Sequence, residues 1–325
     1  VFTGIEDTRT RFTLPSAQTR NERGVSMCGI VGLFLKTPTH REDLGRLTAD
    51  MIHEVRDRGR DSAGVATFGS GDNATTRITV LADGPQPDWN ATATALEALL
   101  AAEVSVRPLH DHAVFETTGD GRAARQWLID HMADIEVLSY GSQIELYKSV
   151  GDPDLLATRY GLATRTGTHA VAHTRMATES AVTANGSHPF STGSDTCLVH
   201  NGSLSNHNQL RLRLEQRGES FQTLNDSEVA AGYVSWRLGS GDSLEQALQR
   251  ALTDLDGFYT FAIGTVDGFA ILRDPISCKP AVVAETDDWV AMSSEYRAIA
   301  RLPGVADAEV WEPEPARVYT WSLAA

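Results

Sequence analysis

The order of its elements predicts an α+β fold for this chain, and composition and length bound its size. Stretches with strand patterning gather toward both ends while helical periodicities lie between them, unlike the regular strand–helix alternation of a parallel α/β winding. Hydrophobic residues make up 41% and charged residues 22%, a globular balance with ample material for a large core. The length of 325 residues accommodates two domains or one large unit.

The elements follow in order. Met27-Cys28-Gly29-Ile30-Val31-Gly32-Leu33-Phe34 reads as an apolar strand with a cysteine at its beginning. Arg41 to Arg56 carries Leu44, Leu47, Met51, Ile52 and Val55 at helical spacing, which predicts a helix packing that face on the core. The charged, turn-forming cluster Asp57 to Gly64 ends it, followed by a strand over Val65 to Phe68 and a loop over Gly69 to Asn73. From about 76 to 166 the chain reads as an inserted α/β segment. It has a strand at Arg77 to Leu81, a helix at Ala91 to Glu103, and a strand region at Val104 to Phe115. A helix at Arg122 to Ala133 and alternating strands within Ile135 to Leu146 complete it. Thr168 to Thr174 returns to strand, and Thr196 to His200 forms another that runs straight into Asn201-Gly202. Asn206 to Arg217 predicts an amphipathic helix with Leu210, Leu212 and Leu214 as its apolar residues. Asp226 is placed as the N-cap of the next helix, and Ser243 to Leu255 forms a third. Strands at Phe258 to Thr265, Gly268 to Arg273, Ala281 to Ala284 and Trp289 to Ser293 follow. A short helix at Tyr296 to Arg301 and a strand at Arg317 to Trp321 close the chain.

Composition excludes some functions. Lys and Arg number 28 against 43 Asp and Glu, a net charge of −15, which argues against nucleic acid as a main partner. Cys28, Cys197 and Cys278 are too few and too scattered for a disulfide framework or a metal quartet, so a reduced, cytoplasmic setting is expected. No apolar run approaches the roughly 20 residues of a membrane span, and no membrane partner is expected. His110 and His112, two apart, would share one side of a strand; without a third ligand they are expected to be solvated surface residues, and no metal is expected. Residues 1–27 are polar and lack the apolar segment of a secretory signal. They read as a propeptide cleaved before Cys28, an over-extended start upstream of Met27, or an extension, with the folded domain over 28–325.

Removing Met27 would leave Cys28 N-terminal. Its α-amino group, with an ordinary pKa of about 7.7–8.0, would then serve as the base for its own thiol. A free cysteine in a strand is ordinarily a small core residue. What points to chemistry is the company it keeps: Cys28-Gly29-Ile30-Val31-Gly32, Arg58-Gly59-Arg60-Asp61-Ser62-Ala63-Gly64, His173-Thr174-Arg175-Met176-Ala177-Thr178, His200-Asn201-Gly202 and Asn225-Asp226-Ser227-Glu228, in that order.

Together these motifs resemble the glutaminase domain of the class II (N-terminal nucleophile) glutamine amidotransferases. Arg273-Asp274-Pro275 with Lys279-Pro280, then Ser293-Ser294-Glu295, resemble that domain's closing strands. The resemblance covers most of Cys28 to Trp321 outside the insertion. It implies a four-layer αββα N-terminal nucleophile hydrolase sandwich. Length and insertion look most like stand-alone amidotransferase subunits related to glutamate synthase, N-methylglutamate synthase-like ones included. The implied partners are L-glutamine and a synthase subunit that accepts ammonia. No cofactor is implied in this chain; a flavin or iron–sulfur group would belong to the partner.

By this resemblance the Cys28 thiolate attacks the glutamine amide and forms a thioester. The Asn201 side chain and the Gly202 backbone N–H hold the oxyanion. Arg175 clamps the substrate α-carboxylate bidentately, and Asp226 accepts from its α-ammonium. Thr178 and His188 join the pocket, while Arg58 and Asp61 fix the loop beneath Cys28. Each has a plainer explanation when taken singly: a hairpin turn for Asn201-Gly202, a salt bridge for Arg175, a helix cap for Asp226. Met176 and Glu179 stand where the family often carries an aromatic residue and sometimes a histidine, which leaves the pocket lid and ammonia gate open. Two other readings stay open: a catalytically silent glutamine-binding or assembly subunit, and an amidase acting on another amide. The intact set of site residues speaks against the first, and a clamp suited to a free amino acid against the second.

Overall fold

Residues 28–69, 73–176 and 182–323 are described by a computed structural model of the chain. In β1 (Gly29–Leu35) every residue is buried, because the strand has no polar side chain to show to water and is covered on both faces. Its alternation assigns those faces: Ile30 and Phe34 point one way, Val31, Leu33 and Leu35 the other. There follow α1 (Leu44–Val55), β2 (Ser62–Phe68), β3 (Thr76–Ala82), α2 (Trp89–Leu100), β4 (Val104–Leu109), β5 (His112–Thr117), α3 (Gly121–His131), β6 (Ile135–Gly141), β7 (Ile144–Val150) and α4 (Pro153–Arg159). Next come β8 (His169–Arg175), β9 (Thr196–Leu204), α5 (His207–Glu215), α6 (Asp226–Gly239) and α7 (Leu244–Asp254). The chain closes with β10 (Gly257–Thr265), β11 (Gly268–Arg273), β12 (Val282–Glu285), β13 (Trp289–Ser293), α8 (Tyr296–Ile299), β14 (Glu309–Trp311) and β15 (Val318–Ser322).

Among the described residues the strands form a seven-stranded sheet ordered β14-β12-β13-β1-β8-β2-β7, a four-stranded sheet β15-β11-β10-β9, and a second four-stranded sheet β4-β5-β3-β6. The first two face each other across a core in which Ile30, Phe34, Phe68 and Val171 meet Val199, Ala262, Phe269 and Ile271. Leu47, Met51 and Val55 of α1, with Leu156 and Ile299, cover the outer face of the large sheet. Leu210, Leu214, Val229, Val234, Leu248 and Ala251 of α5 to α7 cover the outer face of the small one. The layers therefore run helix, sheet, sheet, helix. This is the αββα sandwich of the N-terminal nucleophile fold.

The third sheet has its own core, where Ile78, Val80 and Phe115 pack with Trp89, Leu96 and Leu128 of α2 and α3. It spans residues 76–141. Beyond it, β7 pairs with β2 from Ser62↔Val150 to Phe68↔Ile144, so this strand of the expected insertion is an edge of the main sandwich. Among the described residues no helix is long and apolar enough to cross a membrane.

Several local expectations are corrected. Leu212 is exposed while Leu210 and Leu214 are buried, since residues two apart cannot share a helix face and residues four apart can. Asn225, not Asp226, caps α6, its side chain accepting from Ser227 N–H, and Asp226 is the first helical residue. His110 and His112 do not share a strand: His110 sits in the β4–β5 turn at φ +57°, and His112 is fully buried. His112 is satisfied there by Asp111 through Nδ1 at 2.9 Å and by Lys148 N–H, which donates to Nε2 at 3.3 Å.

Candidate active site

The register of β1 sets the site. Gly29 lies opposite Thr174 of β8, and Val31 opposite Ser293 of β13, so the start of β1 sits between the Arg175 end of one neighbour and the Ser294-Glu295 end of the other. Cys28 is partly exposed, and its Sγ lies 3.7 Å from the Met176 carbonyl. The Cys28 carbonyl accepts from Arg58 Nε at 3.0 Å and from Asn201 Nδ2 at 3.1 Å. Arg58 continues through Nη1 to Glu295 Oε1 at 2.7 Å, which ties the Cys28 backbone to the segment just past β13. Gly59, beside it, has no room for a side chain: a Cβ would stand 2.4 Å from the Arg175 carbonyl carbon. Asp61 N–H donates to the Arg175 carbonyl at 3.1 Å, so this turn grips the backbone of Arg175.

Asn201 reaches across from the small sheet. Its Nδ2 donates to the Cys28 carbonyl and to Ser294 Oγ at 3.3 Å, while Oδ1 lies 2.9 Å from His173 Nε2. With Nδ2 committed to two oxygens, Oδ1 can only accept, so His173 carries its proton on Nε2. Burial holds His173 down to about 3, against the opposing pull of its bond to Asn201, and keeps the ring neutral. Ser294 Oγ in turn accepts from Ile30 N–H at 2.9 Å. The amide therefore has one orientation, fixed by partners from the facing large sheet.

Gly202 follows at φ +146°, and a Cβ there would stand 1.9 Å from the Phe258 carbonyl oxygen. Only glycine fits. His200, one residue before Asn201, places Nδ1 2.8 Å from Ser227 Oγ on the first turn of α6. Asp226 Oδ2 accepts from Leu204 N–H at 2.9 Å, and its side chain keeps 22% exposure, enough to meet a ligand. Arg175 is buried at the end of β8. His188 is buried with its ring 4.2 Å from that of His173 and 5.1 Å from Phe190, and burial pushes it well below the ordinary imidazole range. Thr178 lies outside the described residues.

Motif reading quoted His173 and Ser294 without seeing that they hold the Asn201 amide, because that contact joins two sheets. It also missed Lys148. This side chain is fully buried, donates to the Asn185 carbonyl at 3.1 Å and lies 4.3 Å above the Phe190 ring. Burial lowers it to about 8 despite Glu228 and Glu136 nearby. The signal was present: Lys148 continues the alternation of Ile144 and Leu146, both of which face the inter-sheet core.

Residues 173–301 match the family described as a glutamine amidotransferase domain. Over 298 residues the chain is 49% identical to the glutamine amidotransferase-like protein GlxB of Rhizobium meliloti (strain 1021), covering 91% of this chain and 98% of that protein. The chain belongs to the class II glutamine amidotransferases. A putative glutamine amidotransferase of Methanothermobacter thermautotrophicus is 31% identical over 304 residues, covering 90% of the amidotransferase described here and 99% of its relative. The solved glutamine phosphoribosylpyrophosphate amidotransferase from B. subtilis, complexed with ADP and GMP, shares the fold at a TM-score of 0.58 and 20% identity. That match covers 91% of this amidotransferase, which spans 47% of the solved chain.

Proposed function

We propose that this amidotransferase hydrolyses L-glutamine to glutamate and ammonia through a Cys28 thioester and passes the ammonia to a synthase partner. The observation that carries the reading is the Asn201 carboxamide, held by His173 and Ser294 with its Nδ2 beside Cys28. Once Cys28 is N-terminal, its α-amino group takes the thiol proton, and sulfur attacks the amide carbon. The carbonyl oxygen becomes an oxyanion held by the Gly202 N–H and by Asn201 Nδ2, which turns to it one of the two N–H groups it gives to the Cys28 carbonyl and Ser294 Oγ in the unliganded site. Collapse expels the amide nitrogen, which leaves as ammonia with the returned proton, and water then releases glutamate from the thioester. Arg175 and Asp226 hold the α-carboxylate and α-ammonium, with His188 and Thr178 lining the pocket. Arg58 and Asp61 brace the Cys28 loop. A reduced cytoplasmic setting suits an unblocked thiolate. Any flavin or iron–sulfur group needed by the final reaction belongs to the partner, a synthase related to glutamate synthase or N-methylglutamate synthase.

The test joins N-terminal sequencing and intact mass with a glutamate-release assay. A mature chain beginning at Cys28, active as wild type and inactive as Cys28→Ala, is the expected result. Equal glutamate release from both proteins would move the nucleophile elsewhere, and a working chain that begins before Cys28 would remove the α-amino base.

A further inference from the structure

We infer that the cavity at the seam between α3 and α6 binds a small oxyanion, a metabolite presenting carboxylate or phosphate oxygens. The cavity measures about 520 Å³ and shares no lining residue with the active site. Pockets of roughly 300–1,000 Å³ hold metabolite-sized ligands. The third-sheet unit contributes Arg122, Arg125 and Tyr140; the sandwich contributes Thr192, Ser194 and Ser235.

The two arginines lie three apart on α3, hence on one face. Among the described residues neither guanidinium has an ion pair or a hydrogen bond, and the close neighbour of Arg125 is the Tyr140 ring, whose centroid is 5.2 Å from Cζ. Arg125 is largely sheltered, and burial lowers its guanidinium from the ordinary value. In a chain with 15 more acidic than basic side chains, arginines elsewhere find carboxylates readily: Arg107 and Arg165 both pair with Glu145. A sheltered guanidinium without an anion is costly and is rarely kept. Glu219 also lies on the wall, but stands beyond ion-pairing distance of both arginines, and burial raises its carboxyl toward the neutral form.

The hydroxyls complete the site. Thr192 Oγ1 and Ser235 Oγ are 2.8 Å apart and share one proton between them, which leaves the other hydroxyl free to donate into the cavity. Planar guanidinium forks beside hydroxyl donors are the pattern that recognises carboxylate and phosphate groups. The seam is already stitched by Asp195 N–H to the Tyr140 carbonyl at 2.9 Å and by Gln222 Nε2 to the Val137 carbonyl at 2.9 Å. An anion bound here would add a contact between the third-sheet unit and the helices that carry Asp226.

Two probes separate the sources: inorganic phosphate, and glutarate, a dicarboxylate without the α-amino group that the glutamine site reads. Each is titrated into the whole protein by calorimetry and by thermal unfolding. At least one is expected to bind in the millimolar range or tighter and to raise the melting temperature with dose. The tighter of the two names the chemistry. Arg125→Gln should weaken that binding by about tenfold or more, the loss of one charge-assisted contact. Should Arg125→Gln fail to fold, Arg122→Gln, whose side chain is exposed, decides on the same criterion. Arg46→Gln on α1 should bind as wild type does. Absence of binding by both probes up to about 20 mM, or unchanged affinity in the deciding variant, would overturn the assignment.

Discussion

Replacing Gly202 by alanine tests the proposed oxyanion hole at the point where geometry leaves least freedom. The new Cβ would sit 1.9 Å from the Phe258 carbonyl oxygen and 2.8 Å from His200 Nε2. Restoring even a tight contact of about 3.0 Å to that oxygen requires a shift of about 1.1 Å. The clash is with backbone, so no rotamer relieves it; β9 must part from β10 where Gly202 faces Tyr259. Folding stability should fall by about 1–3 kcal/mol, the usual range for overpacking and backbone strain. The Gly202 N–H would move out of the 2.7–3.1 Å range over which such a donor works, and kcat should drop about 100- to 1,000-fold. The KM for glutamine should change by less than about threefold, since Arg175 sits on β8 and the carboxylate of Asp226 on α6. Steady-state glutamate release, with circular dichroism to confirm folding, measures both. A folded Gly202→Ala protein whose kcat stays within about threefold of wild type would refute the assignment.

Two further outcomes follow from the same geometry. Arg175→Lys should raise the KM for glutamine about 10- to 100-fold with a smaller effect on kcat, because a single ammonium cannot replace a bidentate fork; an unchanged KM in a glutamine titration would place the α-carboxylate elsewhere. Acid should destabilise the fold well above the carboxylate range. His169 and His173 are held near 3 by burial, whereas an unfolded histidine protonates near its ordinary value of about 6.5. The unfolded chain therefore takes up these protons first as pH falls, so the contribution is present above about pH 6.5 and is lost below it. At pH 5 the two rings together should cost about 4 kcal/mol relative to pH 8. Urea unfolding at the two pH values checks this, and coincident midpoints would refute it.

Much of the proposed site was legible because its residues are concentrated in short motifs. The strand ending in Arg175 and the strand running into Asn201-Gly202 were read from apolar patterning, and β9 indeed continues through Gly202 to Leu204. Errors came where one-dimensional pattern and three-dimensional contact diverge. Leu212 looked apolar and therefore inward, yet lies on the solvent face of α5. His112 looked like a surface histidine because its partners, Asp111 and the backbone of Lys148, come from a turn and from a distant strand. The three-residue β14 is too short for any periodicity to announce it.

By itself the sequence determined the α+β class and the motifs on which the proposed site rests, since motif identity and hydrophobic period are properties of neighbours along the chain. Tertiary structure decided how those residues are held. The Cys28 carbonyl receives Arg58 from 30 residues away and Asn201 from 173 away, and Asn201 is oriented by His173 on β8 and by Ser294 just past β13, both belonging to the facing sheet's side. It also decided that β7 closes the main sheet while 76–141 forms a separate one, and that Arg122 and Arg125 open onto a shared cavity. The physical reason is common to all of these. A hydrogen bond or a seam between layers depends on which strands pair and in what register, and the burial of whole faces sets that register.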